Sequence, residues 1–485
     1  MTRLIYFRLF VLICIITNTS PDCFARNPLF EHAKSDTVKI FNIKDYGAVG
    51  NGKTIDTESI NKAISACSDR GGGTVLVPEG KFVTGTVLLK SNVTLHLERN
   101  SILLGTDDIS QYKYYNIRKN NSERPLHLPL HNNSVWSRAL VLLDQVRNVT
   151  ITGSGRIDGN TIVDKQGEEG WRGPHGILIG ESQNIEISGI TISRSGNYNI
   201  LGADIEEVEL TNLFISEGSD GIHIREGKNI RIENCKIFTS DDAIAGGYWE
   251  NMLITGCIIN SSCNGIRLIL PATNLEIMDC EIFGPGIFGH RRGSLNNPLV
   301  TNSLTGIIMQ PGAWGLGPGS LDKIFIHDVR IRDMQTALTI VLNEGNHAGS
   351  IDIENITATG IYRNACSVEA WAEGSKFENI KIKNVSVTYH VDDEQVLGTT
   401  GFFRPRTESR ALPYWGFYAR NVDNIVFENV TFDYLGNKEI RPAMGFEKVN
   451  EVILDDVKYR TVSGIDPLKH SQNTTIKKYS LKPIN

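Results

Sequence analysis

The sequence predicts an all-β protein, a single-stranded right-handed parallel β-helix with one capping helix near its N-terminus. Related segments begin at Asn184, Glu207, Asn229, Asn251 and Asn274, which are 22 or 23 residues apart. In each segment apolar Ile, Val, Leu or Cys alternates with polar residues, and Asn, Asp or Gly interrupts the pattern at short intervals. Alternation with a period of two is typical of strands. A repeat of 22 or 23 residues is too short to bury its apolar side alone, so it must stack on neighbouring repeats. A β-propeller blade would need about 40 residues.

The chain opens with a predicted secretory signal peptide, residues 1–25. Two arginines precede the apolar run from Leu9 to Ile16, which is too short to span a bilayer. We therefore expect a secreted or periplasmic protein, cleaved near Ala25, and the absence of a later long apolar segment predicts no membrane span. A lipid anchor at Cys23 is the alternative, although Ser-Pro-Asp-Cys is a poor lipoprotein cleavage box.

The predicted β-helix covers residues 38–460, and residues 461–485 form a C-terminal tail. An alternating strand from Lys39 to Ile43 precedes a Gly-rich turn and an amphipathic helix from Thr57 to Cys67. One helix ahead of many strands suits a cap over the open end of the stack, since an unpaired edge invites aggregation. Longer intervals between repeats predict projecting loops at 114–147, 284–303 and 390–415.

The composition indicates a mildly acidic, soluble chain. The formal net charge is −6, and without a basic excess we expect no nucleic-acid partner. Six cysteines follow the predicted signal and none forms a Cys-x-x-Cys pair, which argues against zinc and redox sites. Cys235, Cys257 and Cys280 recur at the repeat period, so we expect them to stack inside successive turns. A disulfide in an exported protein is the alternative.

Asp220, Asp241 and Asp242 form the candidate catalytic cluster. Four residues lie thirteen residues after the start of their repeats: Asn197, Asp220, Asp242 and Asn264. This equal offset predicts that they form one column on the surface. Carboxylates one turn apart raise each other's pKa, so a purely structural role does not favour them. A glycosidase needs such a set, with one carboxyl protonated as acid and another ionised as base. Turn-forming residues and a calcium site are the alternatives.

These motifs resemble glycoside hydrolase family 28, the polygalacturonase family, over roughly residues 38 to 460. The matching runs are Asp45–Ala48, Gly153–Gly159, Ser219–Gly221 and Ser240–Asp242. The aspartate triplet at this spacing is the most specific of them. The resemblance implies an inverting hydrolase in which Asp241 is the general acid, while Asp220 and Asp242 activate the attacking water. Like charges in the shared site would keep Asp241 protonated near neutral pH.

The chain departs from the family around the substrate. The family's Gly-His-Gly motif aligns with Cys263–Gly265, and its Arg-x-Lys pair, which grips a galacturonate carboxylate, aligns with Gly306–Gln310, which contains neither cation. Other residues are therefore candidates for substrate binding: Asn264, Arg267, His223, Arg225, His290, Arg291, Arg292, Gln310 and Tyr248. A solvated surface arginine and a tyrosine that merely covers a turn are the structural alternatives.

The sequence thus predicts an exported, monomeric, inverting glycoside hydrolase that acts on plant cell-wall pectic polysaccharide or its oligosaccharides, with no cofactor and no metal. The missing cations favour a linkage such as one in rhamnogalacturonan over plain homogalacturonan. The alternatives are a β-helix polysaccharide lyase, which would need a Lys or Arg base with calcium, and a non-catalytic glycan-binding protein. The loops at 114–147 and 390–415 would favour exo action if they block one end of the groove.

Overall fold

Short parallel strands, each paired with strands of the turns before and after it, wind the chain into a parallel β-helix. The computed structural model describes residues 39–115, 137–390, 404–436, 439 and 441–484. Within that part, 34 strands join one continuous sheet and two short strands form a separate antiparallel pair. The predicted all-β parallel β-helix is confirmed, and its right-handed winding stays a prediction. The predicted signal peptide lies outside the described residues.

The first turns combine strands with the α-helix. The strands are Ile40–Asn42, Asn51–Ile55, Gly73–Val77, Gly80–Thr84, Val87–Leu89, Val93–Leu97 and Ser101–Gly105. The α-helix is Thr57–Asp69, and 3-10 turns occur at Ile43–Tyr46, Ile109–Gln111 and Glu168–Gly170. The helix buries Ile60, Ala63, Ile64 and Cys67 beside the first strands, as its periodicity predicts. Its role as a cap stays a prediction.

The central turns carry the regular repeat. Their strands are Ala139–Asp144, Arg147–Gly153, Arg156–Asp158, His175–Gly180, Gln183–Ser188, Thr191–Ser193, Ile200–Thr211, Phe214–Ser216, Ile222–Glu233, Lys236–Thr239, Ile244–Thr255, Ile258–Ser261, Ile266–Leu268, Ala272–Met278 and Glu281–Phe283. Ile200 pairs with Ile222, Ile222 with Ile244, and Ile244 with Ile266. All four side chains are fully buried. The 22-residue step of the sequence is therefore one turn of the solenoid.

The C-terminal turns are longer. Their strands are His290–Arg291, Leu299–Val300, Thr305–Met309, Gly319–His327, Arg330–Arg332, Thr336–Leu342, Asn346–Glu354, Thr357–Ile361, Cys366–Ala370, Phe377–His390, Phe417–Leu435, Met444–Arg460, Leu468–His470 and Thr475–Ile484. The last two strands pair in parallel with Met444–Arg460. The segment expected as a tail therefore extends the sheet. The sequence hides this because Thr475–Ile484 has a lysine-rich, weakly apolar pattern.

Asparagine ladders mark the bends between strands. Asn229, Asn251 and Asn274 all adopt a left-handed backbone with φ between 54° and 56°. Asn tolerates this conformation better than most residues because its short side chain bonds locally. Asn251 donates to the side chain of Asn229 at 3.0 Å, and Asn274 donates to that of Asn251 at 2.7 Å. This explains why four of the five regular repeats begin with Asn; the fifth begins with Glu207, whose φ is 55°.

The interior is apolar and contains the cysteines. Cys235, Cys257 and Cys280 are buried in the main hydrophobic core at successive turns, so the predicted stacking is confirmed. All six cysteines of the described residues are free thiols, so the disulfide alternative is not realised. In the described part of the chain, no helix has the length and apolar character to cross a membrane.

Candidate active site

The backbone ladder places two of the aspartates in one column. Gly221 N donates to Asp242 O, and Ala243 N donates to Asn264 O, both at 3.0 Å. Asp220, Asp242 and Asn264 therefore occupy equivalent positions of three successive turns, as the repeat predicts. The strand register puts Tyr198, rather than Asn197, level with Asp220. The prediction for Asn197 is wrong because the repeat starts there are 23 residues apart while the strands are 22 apart.

Asp241 is the most accessible of the three carboxylates and is paired with a cation. Its side chain is 15% exposed, against 5% for Asp220 and 10% for Asp242. Arg172 Nη2 donates to Asp241 Oδ2 at 2.9 Å, and His290 Nδ1 lies 3.8 Å from the same oxygen. Burial opposes ionisation, but Arg172, His290 and Arg267 outweigh it and lower the pKa of Asp241 below its ordinary value. The expectation that Asp241 is protonated near neutral pH is therefore wrong for this conformation.

Arg172 belongs to an irregular segment ahead of the strand His175–Gly180. Arg172 is 5% exposed. Its Nε donates to Glu169 Oε2 at 3.0 Å, and its Nη1 donates to Asn197 Oδ1 at 3.5 Å. Sequence reasoning missed Arg172 because it lies 69 residues before Asp241 in a stretch without strand periodicity. The Gly-Trp-Arg-Gly-Pro run at residues 170–174 is a turn-like signal that could have drawn attention to it.

Asp220 is buried and bonded to a histidine. His223 Nδ1 lies 2.6 Å from Asp220 Oδ2, and Arg225 Nε donates to His223 Nε2 at 2.9 Å. The ring of Tyr198 stacks on His223 with centroids 4.7 Å apart. Burial, with the charges of Asp241 and Asp242, raises the pKa of Asp220 well above its ordinary value. Burial and Arg225 lower the pKa of His223 well below its ordinary value, so the ring is neutral.

Asp242 is held by Asn264 and Arg267. Asn264 donates to Asp242 Oδ1 from its side chain at 2.8 Å and from its backbone at 3.2 Å. Arg267 Nη1 lies 3.5 Å from Asp242 Oδ2. Burial raises the pKa of Asp242, Arg267 opposes this, and Asp241 adds to it. Asn264 was expected to bind substrate, but it is fully buried and its Oδ1 accepts from Thr305 N at 3.1 Å, so it orients Asp242 instead.

Arg267 lies beside Asp242, on the strand of the following turn. It is 3% exposed, bonds Glu408 Oε1 at 3.1 Å, and lies over the ring of Trp314 at 5.4 Å. Arg267 therefore faces two carboxylates, which offset its charge. Ile308 stands level with Arg267 in the next turn. Gln310, two residues further, is fully buried, and neither polar atom of its side chain has a hydrogen-bond partner among the described residues.

Three predicted substrate contacts lie in other environments. Tyr248 is buried in a cluster with Ile269 and Leu270, so its ring packs against them rather than lying open for a sugar. Arg291 donates to the carbonyl oxygens of its own loop at Leu295 and Asn297 and so fixes that loop. The side chain of Arg292 is exposed. The structure thus gathers His223, Arg225, Arg267 and His290 around the aspartates, and assigns Asn264, Tyr248 and Arg291 to structural contacts.

A metal could be held only by Asp241, Asp242 and Cys263, whose ligand atoms lie within 4.8 Å of one another in the described part of the chain. Burial raises the pKa of the Cys263 thiol well above its ordinary value, which keeps it in the poorly ligating protonated form. Arg172 and Arg267 already neutralise the two aspartates. The donor set therefore fits a divalent cation poorly.

Residues 404–416 cover the outer face of the turns that follow Asp242. The contacts of this segment, in chain order, are Thr407 with Arg267, Ser409 with Thr336 and Asn364, Arg410 with Glu369, and Leu412 with Tyr418. Except for Asn364, these partners belong to strands that are stacked in successive turns. This part of the predicted loop 390–415 thus packs on the turns at the C-terminal side of the aspartates; residues 391–403 of the loop lie outside the described residues.

Comparisons with known proteins show the family and the fold of the chain. A family model described as rhamnogalacturonase A/epimerase, pectate lyase-like, matches residues 40–267. An exo-poly-alpha-D-galacturonosidase of Dickeya chrysanthemi is 30% identical over 433 residues, covering 72% of this chain and 68% of that protein. A probable polygalacturonase of Vitis vinifera is 28% identical over 383 residues, covering 71% and 74%. The structure of a family 28 exopolygalacturonase from Yersinia enterocolitica superposes with a TM-score of 0.56 at 17% identity, covering 91% of this chain and 79% of that one.

Proposed function

The chain belongs to glycoside hydrolase family 28, the polygalacturonase family, and is a glycoside hydrolase; from this we propose that it hydrolyses pectic polysaccharide or its oligosaccharides with inversion, using Asp220, Asp241 and Asp242. The observation that carries the proposal is the contrast among these three carboxyl groups. Arg172 favours the ionised form of Asp241, while burial favours the protonated form of Asp220 and of Asp242. Environments that push neighbouring pKa values apart are the mark of an acid and a base in one site.

We assign the general acid to Asp241, the most accessible of the three, and the activation of water to Asp220 and Asp242. Because Arg172 holds Asp241 ionised, the acid role requires that Arg172 leave Asp241 when substrate binds. A substrate carboxylate is a suitable new partner for the guanidinium, which binds carboxylates in two parallel hydrogen bonds. The cluster then holds its proton on Asp241, since carboxyl groups this close titrate as one unit.

The substrate we propose is a pectic chain with an uncharged sugar next to the cleaved bond. The positions beyond Asp242 hold the uncharged residues Ile308 and Gln310, and the charge of Arg267 is offset by Asp242 and Glu408. The exposed aromatic ring of Trp314 suits the apolar face of a neutral sugar. In rhamnogalacturonan a neutral sugar alternates with a uronate. It therefore offers both a neutral sugar next to the cleaved bond and a carboxylate for Arg172, and fits the site better than homogalacturonan.

We further propose exo action and export. In this proposal residues 404–416, which pack on the turns at the C-terminal side of the aspartates, block one end of the substrate groove and leave room for only a short piece of substrate there. The predicted signal peptide at residues 1–25 would deliver the enzyme to the periplasm or the cell exterior, where its polymeric substrate is found.

A panel of pectic oligosaccharides tests the proposal. Purified enzyme is incubated with rhamnogalacturonan and homogalacturonan oligosaccharides, and products are followed by mass spectrometry and by the anomeric proton signals in early NMR spectra. We expect release of small units from one chain end, with inverted anomeric configuration and faster cleavage of rhamnogalacturonan. Unsaturated products that absorb in the ultraviolet would establish a lyase instead. Binding without new reducing ends would establish a glycan-binding protein.

A further inference from the structure

Three residues next to the reacting carboxylates form a hydrogen-bonded chain: Arg225, His223 and Asp220. The Nε of Arg225 donates to His223 Nε2 at 2.9 Å, and His223 Nδ1 lies 2.6 Å from Asp220 Oδ2. All three residues are buried, with whole-residue exposures of 7%, 4% and 3%. Tyr198 stacks in a nearly parallel plane, 6° from that of the imidazole, and fixes the ring orientation. These two hydrogen bonds are therefore shielded from solvent.

The direction of each hydrogen bond follows from the chemistry of the donors. A guanidinium has only N–H donors and stays charged in proteins, so His223 Nε2 must accept. A nitrogen that accepts carries no hydrogen, and the single hydrogen of a neutral imidazole must then be on Nδ1. His223 Nδ1 therefore donates to Asp220 Oδ2. Any proton that Asp220 takes up has to reside on Oδ1, which has no hydrogen bond to a described residue.

We propose that Arg225 is a positioning residue that fixes the tautomer of His223 and so reserves Oδ1 of Asp220 for proton transfer during hydrolysis. This inference rests on the proposed catalytic role of Asp220. Water activation then has one defined acceptor atom, and Oδ2 stays occupied by the Nδ1–H of His223. The free energy of folding alone does not favour this arrangement, since Arg225 Nη1 is buried without a partner.

Other charged groups near these three residues also affect the pKa of Asp220 and of His223. Glu168, Arg172, His175, Asp241 and Asp242 all act on Asp220 or His223. None of them is bonded to either ring nitrogen of His223 among the described residues, so Arg225 alone determines which nitrogen accepts. Replacing Arg225 by Lys keeps a donor-only group at this position, whereas Met removes the donor.

The test combines NMR of the histidine ring with kinetics on the intact enzyme. Protein labelled with 15N-histidine is studied by long-range 1H–15N correlation, and the signal of His223 is assigned by its loss in His223→Gln. We expect the Nδ1–H pattern in wild type and in Arg225→Lys, and loss of that pattern in Arg225→Met. For Arg225→Met we also expect kcat to fall about 10- to 100-fold at nearly constant KM, the usual effect of losing a residue that orients a functional group. A new ionisation between about pH 5 and 8, typical of a released histidine, should enter its kcat profile.

Arg231→Met, on the same strand and in a partly exposed ion pair with Glu233, is the matched control and should leave kcat and the His223 signal unchanged. An Nε2–H pattern in wild type would overturn the inference. So would an Arg225→Met enzyme with wild-type kcat and the Nδ1–H pattern. If wild type hydrolyses no pectic substrate, the proposed function fails, while the wild-type spectra still decide the tautomer, even if Arg225→Met does not fold.

Discussion

Arg172 and Asp241, 69 residues apart in sequence, form an ion pair in the candidate catalytic cluster, with Nη2 and Oδ2 separated by 2.9 Å. Removing this cation should raise the pKa of Asp241. In Arg172→Met we therefore expect the alkaline limb of the kcat/KM profile to move to higher pH, because without this cation Asp241 keeps its proton to higher pH in the free enzyme, whose ionisations this profile reports. The pH dependence of initial rates measures this. Arg332→Met, which removes a half-exposed pair with Glu281, should leave the profile unchanged.

The same pair predicts a pH dependence of stability. The pKa of Asp241 is lowered on folding, so the pair stabilises the protein above the ordinary Asp pKa of about 3.9 and loses this contribution as pH falls. The free energy of unfolding of wild type should thus exceed that of Arg172→Met at neutral pH, and the difference should shrink below about pH 4. Denaturant titrations at several pH values measure it. A constant difference across this range would show that Arg172 acts by packing rather than charge.

Asp241→Asn should remove catalysis with little change in stability. Asparagine has nearly the shape of aspartate and still accepts a hydrogen bond from Arg172, but it cannot donate a proton to a glycosidic oxygen. We expect kcat to fall by a factor of about 100 or more, the scale of general acid catalysis. Asp279→Asn, at an exposed bend with φ of 51°, is the control, because Asn suits that backbone equally well. Equal loss of folding and activity in Asp241→Asn would point to a structural role.

Asp220→Asn should stabilise the protein while inactivating it. Burial and the charges of Asp241 and Asp242 raise the pKa of Asp220, so its ionisation at higher pH destabilises the folded state. The asparagine retains an oxygen that accepts from His223 Nδ1. We expect the free energy of unfolding of the variant to exceed that of wild type by about 1 kcal/mol or more at pH 8, with the advantage vanishing near pH 4. A variant less stable than wild type at pH 8 would contradict this.

Glu369 anchors residues 404–416 through Arg410. Its side chain is fully buried and accepts two hydrogen bonds from Arg410, at 2.8 and 2.7 Å, and one from Trp371 at 2.8 Å. Glu369→Gln leaves Arg410 without its buried carboxylate, so we expect a loss of about 3 kcal/mol in the free energy of unfolding. Glu250→Gln, in the half-exposed pair with Lys228, should cost less than about 1 kcal/mol. Similar losses in both variants would mean that Glu369 does not anchor the segment.

The contacts between successive repeats could be predicted from the sequence. The loop residues that pack beside the aspartates could not. Ile222, Ile244 and Ile266 repeat at a fixed interval, and a solenoid turns that interval directly into contacts between neighbours. The position of Asp242 above Asp220 follows from the same arithmetic. Arg172 and Glu408 come from segments without a repeat, so their approach to the aspartates depends on loop conformation. A sequence pattern contains no information on such a contact.

Protonation was the other property that sequence reasoning missed. The spacing of the aspartates correctly indicated mutual repulsion, which raises the pKa of Asp220 and of Asp242. It also suggested a protonated Asp241, because the cation that reverses the effect was not recognisable as a neighbour. The charge state of a clustered carboxylate depends on which loop residue faces it, and that requires three-dimensional structure.

Gln310 allows stability and substrate binding to be separated. Both polar atoms of its side chain are buried without a partner, which costs about 1 to 3 kcal/mol for a polar group. Methionine has a similar shape and no amide, so Gln310→Met should raise the melting temperature. If substrate binding uncovers this buried amide for a sugar hydroxyl, the same variant should raise KM for rhamnogalacturonan oligosaccharides with a smaller change in kcat, since binding lost equally in ground and transition states appears in KM. Gln183→Met, which removes a hydrogen bond to Glu207 at the surface, should change neither quantity. A more stable Gln310→Met enzyme with wild-type KM would place the sugar elsewhere in the groove.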